Sequence, residues 1–219
     1  MSALTISDNV RKFLHYTAWL TIVLLLSACG VKQVVVKGEF PSPLVSKLPL
    51  TLGVWYGDDF ANHEFFDEST DRAESDWMVT TGQAQVQMWD ILLGGMFENL
   101  VHLKTRPTAD SRNESIDAVL IPHVEEFQYA LPKQTNIKVY EIWMRYRFEM
   151  VTNGGDAIAE WSMTAYGKTP TAFLQSSEAA VNLAAVMALR DAGAHFVVNF
   201  ARVPAVQEWL QRTTKREHD

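Results

Sequence analysis

The feature that most constrains this chain is a pair of alternating runs joined by a glycine turn. In "YEIWMRYRFEMV", Tyr140, Ile142, Met144, Tyr146, Phe148 and Met150 form one apolar face, while Glu141, Trp143, Arg145, Arg147 and Glu149 form the other. "TNGGD", Thr152 to Asp156, follows, and Ile158 to Tyr166 returns with Ala157, Ala159, Trp161, Met163 and Ala165 in alternation. Asparagine-glycine between two period-two runs predicts a β-hairpin. Two strands with one greasy face are not stable alone, so the rest of the chain has to extend and cover them.

The covering elements are also legible. From Thr81 to Leu103, Val86, Trp89, Leu93, Met96 or Phe97, and Leu100 recur at three- and four-residue steps, predicting an amphipathic helix interrupted at Gly94 and Gly95. Ser176 or Ser177 can cap a long final helix, with Glu178 at the positive end of its dipole and Ala185, Leu189, Ala192, Phe196 and Phe200 as its buried stripe. Pro204 breaks or restarts it, and Val206, Trp209 and Leu210 form a short apolar addition. Leu50 to Tyr56, "LTLGVWY", alternates as a strand with one buried face. Ala118 to Tyr129 reads as a strand that Pro122 should confine to an edge or a bulge. The order strand, helix, three strands, helix predicts an α+β fold: a two-layer sandwich with a mainly antiparallel sheet of about four strands and two long helices packed on one face.

Composition fits a chain with a sizeable core: 219 residues, 47% hydrophobic and 21% charged. A net charge of -7 gives no basic footprint for neutralising phosphates, so no nucleic-acid partner is expected. The single cysteine, Cys29, excludes an internal disulfide framework and a cysteine-rich zinc site.

That cysteine ends an apolar run that starts near Phe13, preceded by Arg11 and Lys12 and closed by Ser27 and Ala28. Positive flank, apolar centre and small-residue exit are the parts of a secretory signal. An uncleaved anchor is the alternative, but the run is short for a span of about 20 residues and contains His15 and Thr17. Leu26, Ser27, Ala28 and Cys29 resemble the lipobox of bacterial lipoproteins. The resemblance implies that residues 1–28 are a signal peptide and that Cys29 becomes the lipidated N-terminus. The covalent lipid on Cys29 is the only prosthetic group expected, and the membrane the first partner. Similarity to Gram-negative lipoproteins makes residue 30 a sorting position. Aspartate there commonly retains the protein at the inner membrane, and Gly30 implies the periplasmic face of the outer membrane.

Residues 29–48 are then a lipidated N-terminus and tether, because Pro41, Pro43 and Pro49 disfavour regular structure, although Val34, Val35 and Val36 can form an extended strand. Residues 49–212 form a single α+β domain, and residues 213–219 a charged tail. The acidic stretch from Asp58 to Asp76 reads as loop or a poorly formed strand.

No catalytic pattern emerges. The chain has no G-x-S-x-G, no phosphate-binding G-x-x-x-x-G-K-[ST] and no G-x-G-x-x-G. His63, Glu64 and Asp67 could hold a metal, but a solvated acidic loop explains them more simply, and "DESTDRAESDW" lacks the glycine and terminal glutamate of a calcium loop. His123 and His195 read as structural. Catalytic and metal residues are therefore expected to be none. Tryptophan and arginine favour binding hot spots, which makes Trp143, Arg145 and Arg147 a candidate partner surface on the outer sheet face. The plainer reading is a tryptophan covered by the arms of the two arginines.

The layout of "LTLGVWY", "GGMFENLV", paired strands, "AVMALRDAGAHFVVNF" and "VPAVQEWL" resembles the auxiliary lipoproteins of ABC-type transport systems. That resemblance implies a non-enzymatic accessory that contacts an envelope protein. The competing expectation is a small or lipidic ligand held between helices and sheet.

Overall fold

The computed structural model describes residues 31–67, 76–131, 139–170 and 176–216. Cys29 and Gly30, and with them the signal segment, lie outside the described residues. In chain order the elements are β1 (Lys32–Val35), β2 (Leu48–Val54), α1 (Asp58–Ala61), β3 (Glu64–Asp67), β4 (Trp77–Thr80), α2 (Gly82–Met96) and β5 (Phe97–His102). They continue with β6 (Ala118–Ala130), β7 (Val139–Val151), β8 (Ala157–Pro170), α3 (Ser177–Asn199) and α4 (Pro204–Arg216).

The predicted hairpin is the β7–β8 pair, antiparallel from Val139↔Pro170 to Val151↔Ala157. Gly155 closes its turn at φ +91°, a conformation glycine adopts without a Cβ penalty. Ile142, Met144, Tyr146, Phe148 and Met150 are all buried on the inner face. Trp89 of α2 meets Tyr146, Phe148 and Phe196 edge to face at ring separations of 5.7, 5.1 and 5.0 Å. Such rings supply the largest apolar area per residue and fix relative orientation.

The α+β class holds, with helices covering one face of a sheet, but the sheet differs from expectation. It has five strands in the order β5-β2-β6-β7-β8, and β2 runs parallel to both of its neighbours. Accordingly Leu50, Leu52 and Val54 are buried and Gly53 with them, so β2 is covered on both faces instead of one. β1, β4 and β3 form a second, three-stranded sheet. Phe65 of β3 and Trp77 of β4 pack against Tyr129 of β6, so this small sheet shares the covering layer with α2 and α3.

The helix expected over Thr81 to Leu103 stops at Met96, and Phe97 starts β5 with no intervening loop. The helix runs unbroken through Gly94 and Gly95. A Cβ on Gly95 would stand 2.5 Å from Pro43, whereas one on Gly94 would meet nothing within 4 Å. Pro122 sits where the prediction put it: β2 pairs β6 only through Leu120, so Pro122 has β7 as its single neighbour, and a bulge follows between Val124 and Glu126.

The expected tether is packed. Val34, Val36 and Phe40 are buried, and β1 runs parallel to β4. Lys37 exchanges two hydrogen bonds with the Asn182 side chain at 2.8 and 3.1 Å, and Arg190 Nη2 donates to the Glu39 carbonyl at 2.8 Å. The N-terminal segment thus lies along α3. At its N-terminus Ser176 caps α3, accepting from the Ala179 amide at 3.1 Å. The Glu178 backbone N–H, with Ser177 and Lys32, holds the Glu178 carboxyl below its ordinary range.

Two glycine substitutions test this packing in opposite directions. A Cβ on Gly167 would lie 2.0 Å from the Ala184 carbonyl oxygen and 2.3 Å from the Ala188 amide nitrogen, both backbone atoms of α3. Gly167→Ala is expected to destabilise by about 3 kcal/mol or more in urea unfolding, at the upper end of overpacking costs. Gly94→Ala, in open space within a helix, is expected to stabilise by about 0.5–1 kcal/mol.

Candidate functional site

The outer face of the large sheet carries the predicted surface residues, and the structure divides them. Register places Gln128, Trp143 and Tyr166 in one cross-strand row, Glu126, Arg145 and Thr164 in the next, and His123, Arg147 and Ser162 in the third. The Arg145 guanidinium lies 5.6 Å from the Trp143 ring centre and 4.0 Å from Glu126. Tyr166 donates to Glu141, and that bond, with burial and charge as lesser causes, pushes the phenol up to about 12. Trp143, Arg145 and Tyr166 therefore form one accessible aromatic-cationic patch.

Arg147 does not cover Trp143. It donates to Glu149 at 2.6 Å and lies 3.3 Å from Glu125 and 3.8 Å from Glu160. Arg106 also pairs with Glu149. His123 Nε2 stands 2.9 Å from the same carboxylate without hydrogen-bond geometry. Burial alone would raise the Glu149 carboxyl, but hydrogen bonds from Arg147 and Arg106 outweigh it and hold the group below its ordinary range. Arg106 also reaches over Trp55, at 5.9 Å from the ring centre, so it pins residues 103–117 across the sheet. Ile116 of that loop joins Val119, Ile121 and Val151 in a small second core. The sequence offered no signal for this network, because Arg106 and Glu149 are brought together only by the loop's long return.

His63 does not join a metal set. Its Nδ1 lies 2.7 Å from Thr81 Oγ1, and Gln85 Nε2 donates to that same oxygen at 2.8 Å. Burial holds the His63 imidazole below its ordinary pKa. Asp67 accepts from Tyr129 at 2.7 Å, and Glu64 from Thr80 at 3.3 Å. Among the described residues no group of three or more histidine, cysteine, aspartate or glutamate side chains is placed to hold a metal. The calcium-type stretch falls partly on residues 68–75, outside the described residues. Tyr56 and His102 converge on Asp90 Oδ1 at 2.8 Å each. Burial first, and Asp90 second, push the Tyr56 phenol far up, so it serves as a donor and is no base.

The centre of the space between helices and sheet, where the competing expectation put a ligand, is filled by Trp89, Tyr146, Phe148, Phe196 and Phe200, and an open cleft of about 540 Å³ lies at its β8 edge, between residues 161–164 and 195–200. An apolar groove of about 360 Å³ lies instead on the far side of the helical layer. Phe40, Pro43 and Leu44 form one wall, and Met88, Leu92 and Val197 form the other.

No protein-family model matches the chain, and no curated protein matches it by sequence. Among solved structures, a Xanthomonas campestris protein of the family model DUF330 is similar at TM-score 0.51 and 13% identity, covering 83% of this chain and 99% of that one. The likeness shows a shared fold. A minor lipoprotein from Acinetobacter baumannii overlaps at TM-score 0.37, with 10% identity over 72% of this chain and 94% of that one. Lipoprotein GNA1162 from Neisseria meningitidis overlaps at 0.34, with 12% identity over 70% and 99%. At those scores the likeness carries no argument about fold or role.

Glu149→Ala tests the network. It removes hydrogen bonds to two charged donors and is expected to cost about 2 kcal/mol at neutral pH. Because the folded pKa of Glu149 is depressed, its contribution is complete above the unfolded carboxyl value, about 4.3, and is lost as pH falls through the folded value. Urea melts of the two proteins should therefore converge as pH drops through that window.

Proposed function

We propose that the chain is a lipid-anchored, non-enzymatic accessory lipoprotein of the bacterial cell envelope, held at the periplasmic face of the outer membrane and contacting an envelope protein. The observation that carries the reading is the spacing of anchor and fold: β1 begins at Lys32, three residues after the lipobox cysteine. A folded domain that starts so soon after a lipobox has no long spacer, which suits a protein whose work is done close to the bilayer. Several acyl chains give durable attachment, at about 0.8 kcal/mol per buried methylene, where one gives only marginal binding. The patch of Trp143, Arg145 and Tyr166 supplies the residue types that dominate protein contacts.

Metabolic labelling with an alkyne fatty acid is expected to mark the wild-type protein and to leave Cys29→Ser unmarked, with a mature mass that starts at Cys29. An unlabelled wild-type protein would overturn the anchor. Gly30→Asp is expected to move the protein from outer-membrane to inner-membrane density fractions.

The double variant Trp143→Ala with Arg145→Ala removes a half-buried tryptophan and an exposed arginine from the outer sheet face, at an expected cost of about 1 kcal/mol. In-cell crosslinking should then lose an envelope protein that the wild type captures. Unchanged capture would remove this patch as the contact.

A further inference from the structure

We propose that the outer face of the helical layer rests on the membrane that receives the Cys29 lipid. The inference depends on the anchor reading above and goes beyond it, because it assigns which side of the fold meets the bilayer. Among the described residues nine large hydrophobic side chains are exposed. Four of them, Val31, Val35, Leu44 and Val45, belong to the N-terminal segment that lies along α3. Three more, Leu183, Met187 and Val198, are on α3 itself, and Phe66 is on β3. Only Tyr166 stands on the large sheet.

Alternation shows that these side chains share a side. Val34 and Val36 are buried and Val35 between them is exposed. Phe65 packs on Phe127 and Tyr129, which turns Phe66 the other way. On α3, Ala184, Ala188 and Ala192 point into the core, which leaves Leu183, Met187 and Val198 outward. The apolar groove opens on the same side, between Leu44 and Val198. Clustered exposed apolar side chains of this kind mark interaction surfaces.

Two facts choose a membrane as the occupant. The first is reach. Three residues span at most about 10 Å, and the headgroup zone is roughly 5–8 Å deep on each side of the hydrocarbon. With acyl chains on Cys29, Lys32 is held at or just above the headgroups, and the segment it begins is the edge of this apolar face. The second is charge. On a chain of net charge -7, this face and the adjoining proline strap come close to balance, with Lys37, Lys47 and Arg190 against Glu39, Glu64, Asp76 and Asp191. Among the described residues Arg190 has no carboxylate partner and donates only to the Glu39 carbonyl. Cations flanking an apolar face match phosphate headgroups above acyl chains.

The test uses the whole mature protein, reconstituted in vesicles of phosphatidylethanolamine and phosphatidylglycerol. A lipid-modified Cys29 has no free thiol, so Leu183→Cys, Met187→Cys, Val198→Cys and, on the opposite face, Ser162→Cys each accept one nitroxide. The three α3 labels are expected to collide with oxygen several-fold more than with a water-soluble nickel chelate, while the Ser162 label shows the reverse. Water exposure at all four sites, in protein whose Cys29 lipid is confirmed by mass spectrometry, would overturn the face and leave the anchor standing. Protection of the α3 labels from both reagents would mean that a second copy covers the face, and would also overturn it. Absence of the Cys29 lipid would defeat the anchor reading itself, and this inference with it.

Discussion

The arrangement of the molecule depends on how closely α3 approaches the sheet. β8 presents Gly167 where the Ala184 carbonyl and the Ala188 amide pass, too near for any Cβ. The helix can come that close because the side it turns inward is small: Ala180, Ala184, Ala185, Ala188 and Ala192 are buried. Close approach brings Leu189 and Phe196 into the core and lets Phe196 contact Phe148 at a ring separation of 5.1 Å and Trp89 at 5.0 Å. The aromatic cluster that fills the interlayer space is thus a consequence of a glycine and a row of alanines. The centre between the layers is thus closed, and an open cleft lies at the β8 edge, between Met163 and Asn199.

An alanine-lined inner face has a cost on the other side. The apolar content of α3 is spread around its circumference, and its larger side chains at Leu183, Met187 and Val198 have no place in a core approached so tightly. A helix apolar all round is ordinarily enclosed. Here a third neighbour, the N-terminal segment, covers part of that surface through Gly38, where a Cβ would meet Val186 at 2.6 Å, and through the bonds of Lys37 and Glu39. What stays uncovered is the strip beside it. The segment thus completes the layer and defines the edge of the exposed face.

The legible parts of the fold were those encoded by local periodicity. Six alternating residues from Tyr140 to Met150 and an asparagine-glycine turn suffice for the hairpin, and Ser176 with Glu178 suffices for the start of α3. The missed parts depend on partners far along the chain. Phe97 to Leu100 continues a helical spacing from Leu93, and only pairing with β2 makes it a strand. Val34, Val35 and Val36 were readable as an extended strand within a tether, and only β4, more than forty residues on, gives that strand a ladder and ties the tether into the fold. Of the candidate surface, Trp143 and Arg145 were readable from alternation. Arg147 was misjudged because its carboxylate partners Glu125 and Glu160 come from neighbouring strands, and because Arg106, which shares Glu149 with it, arrives from a loop.

The two faces of the sandwich are chemically opposite, and the place where the chain enters gives that contrast a direction. The sheet side is a lattice of compensated charges with a tryptophan and a tyrosine at one end. The helical side is apolar, with charges of both signs at its margin. β1 lies in the helical layer, so a lipid on Cys29 would hold that layer toward the bilayer by chain length alone and turn the sheet side to the aqueous space. Salt-compensated polar surface tolerates water and exchanges partners easily, whereas apolar surface does not tolerate long exposure. On this reading the anchor, the exposed strip of α3 and the patch at Trp143 are parts of one orientation: the lipid fixes which layer is hidden, and the sheet is left free to make protein contacts.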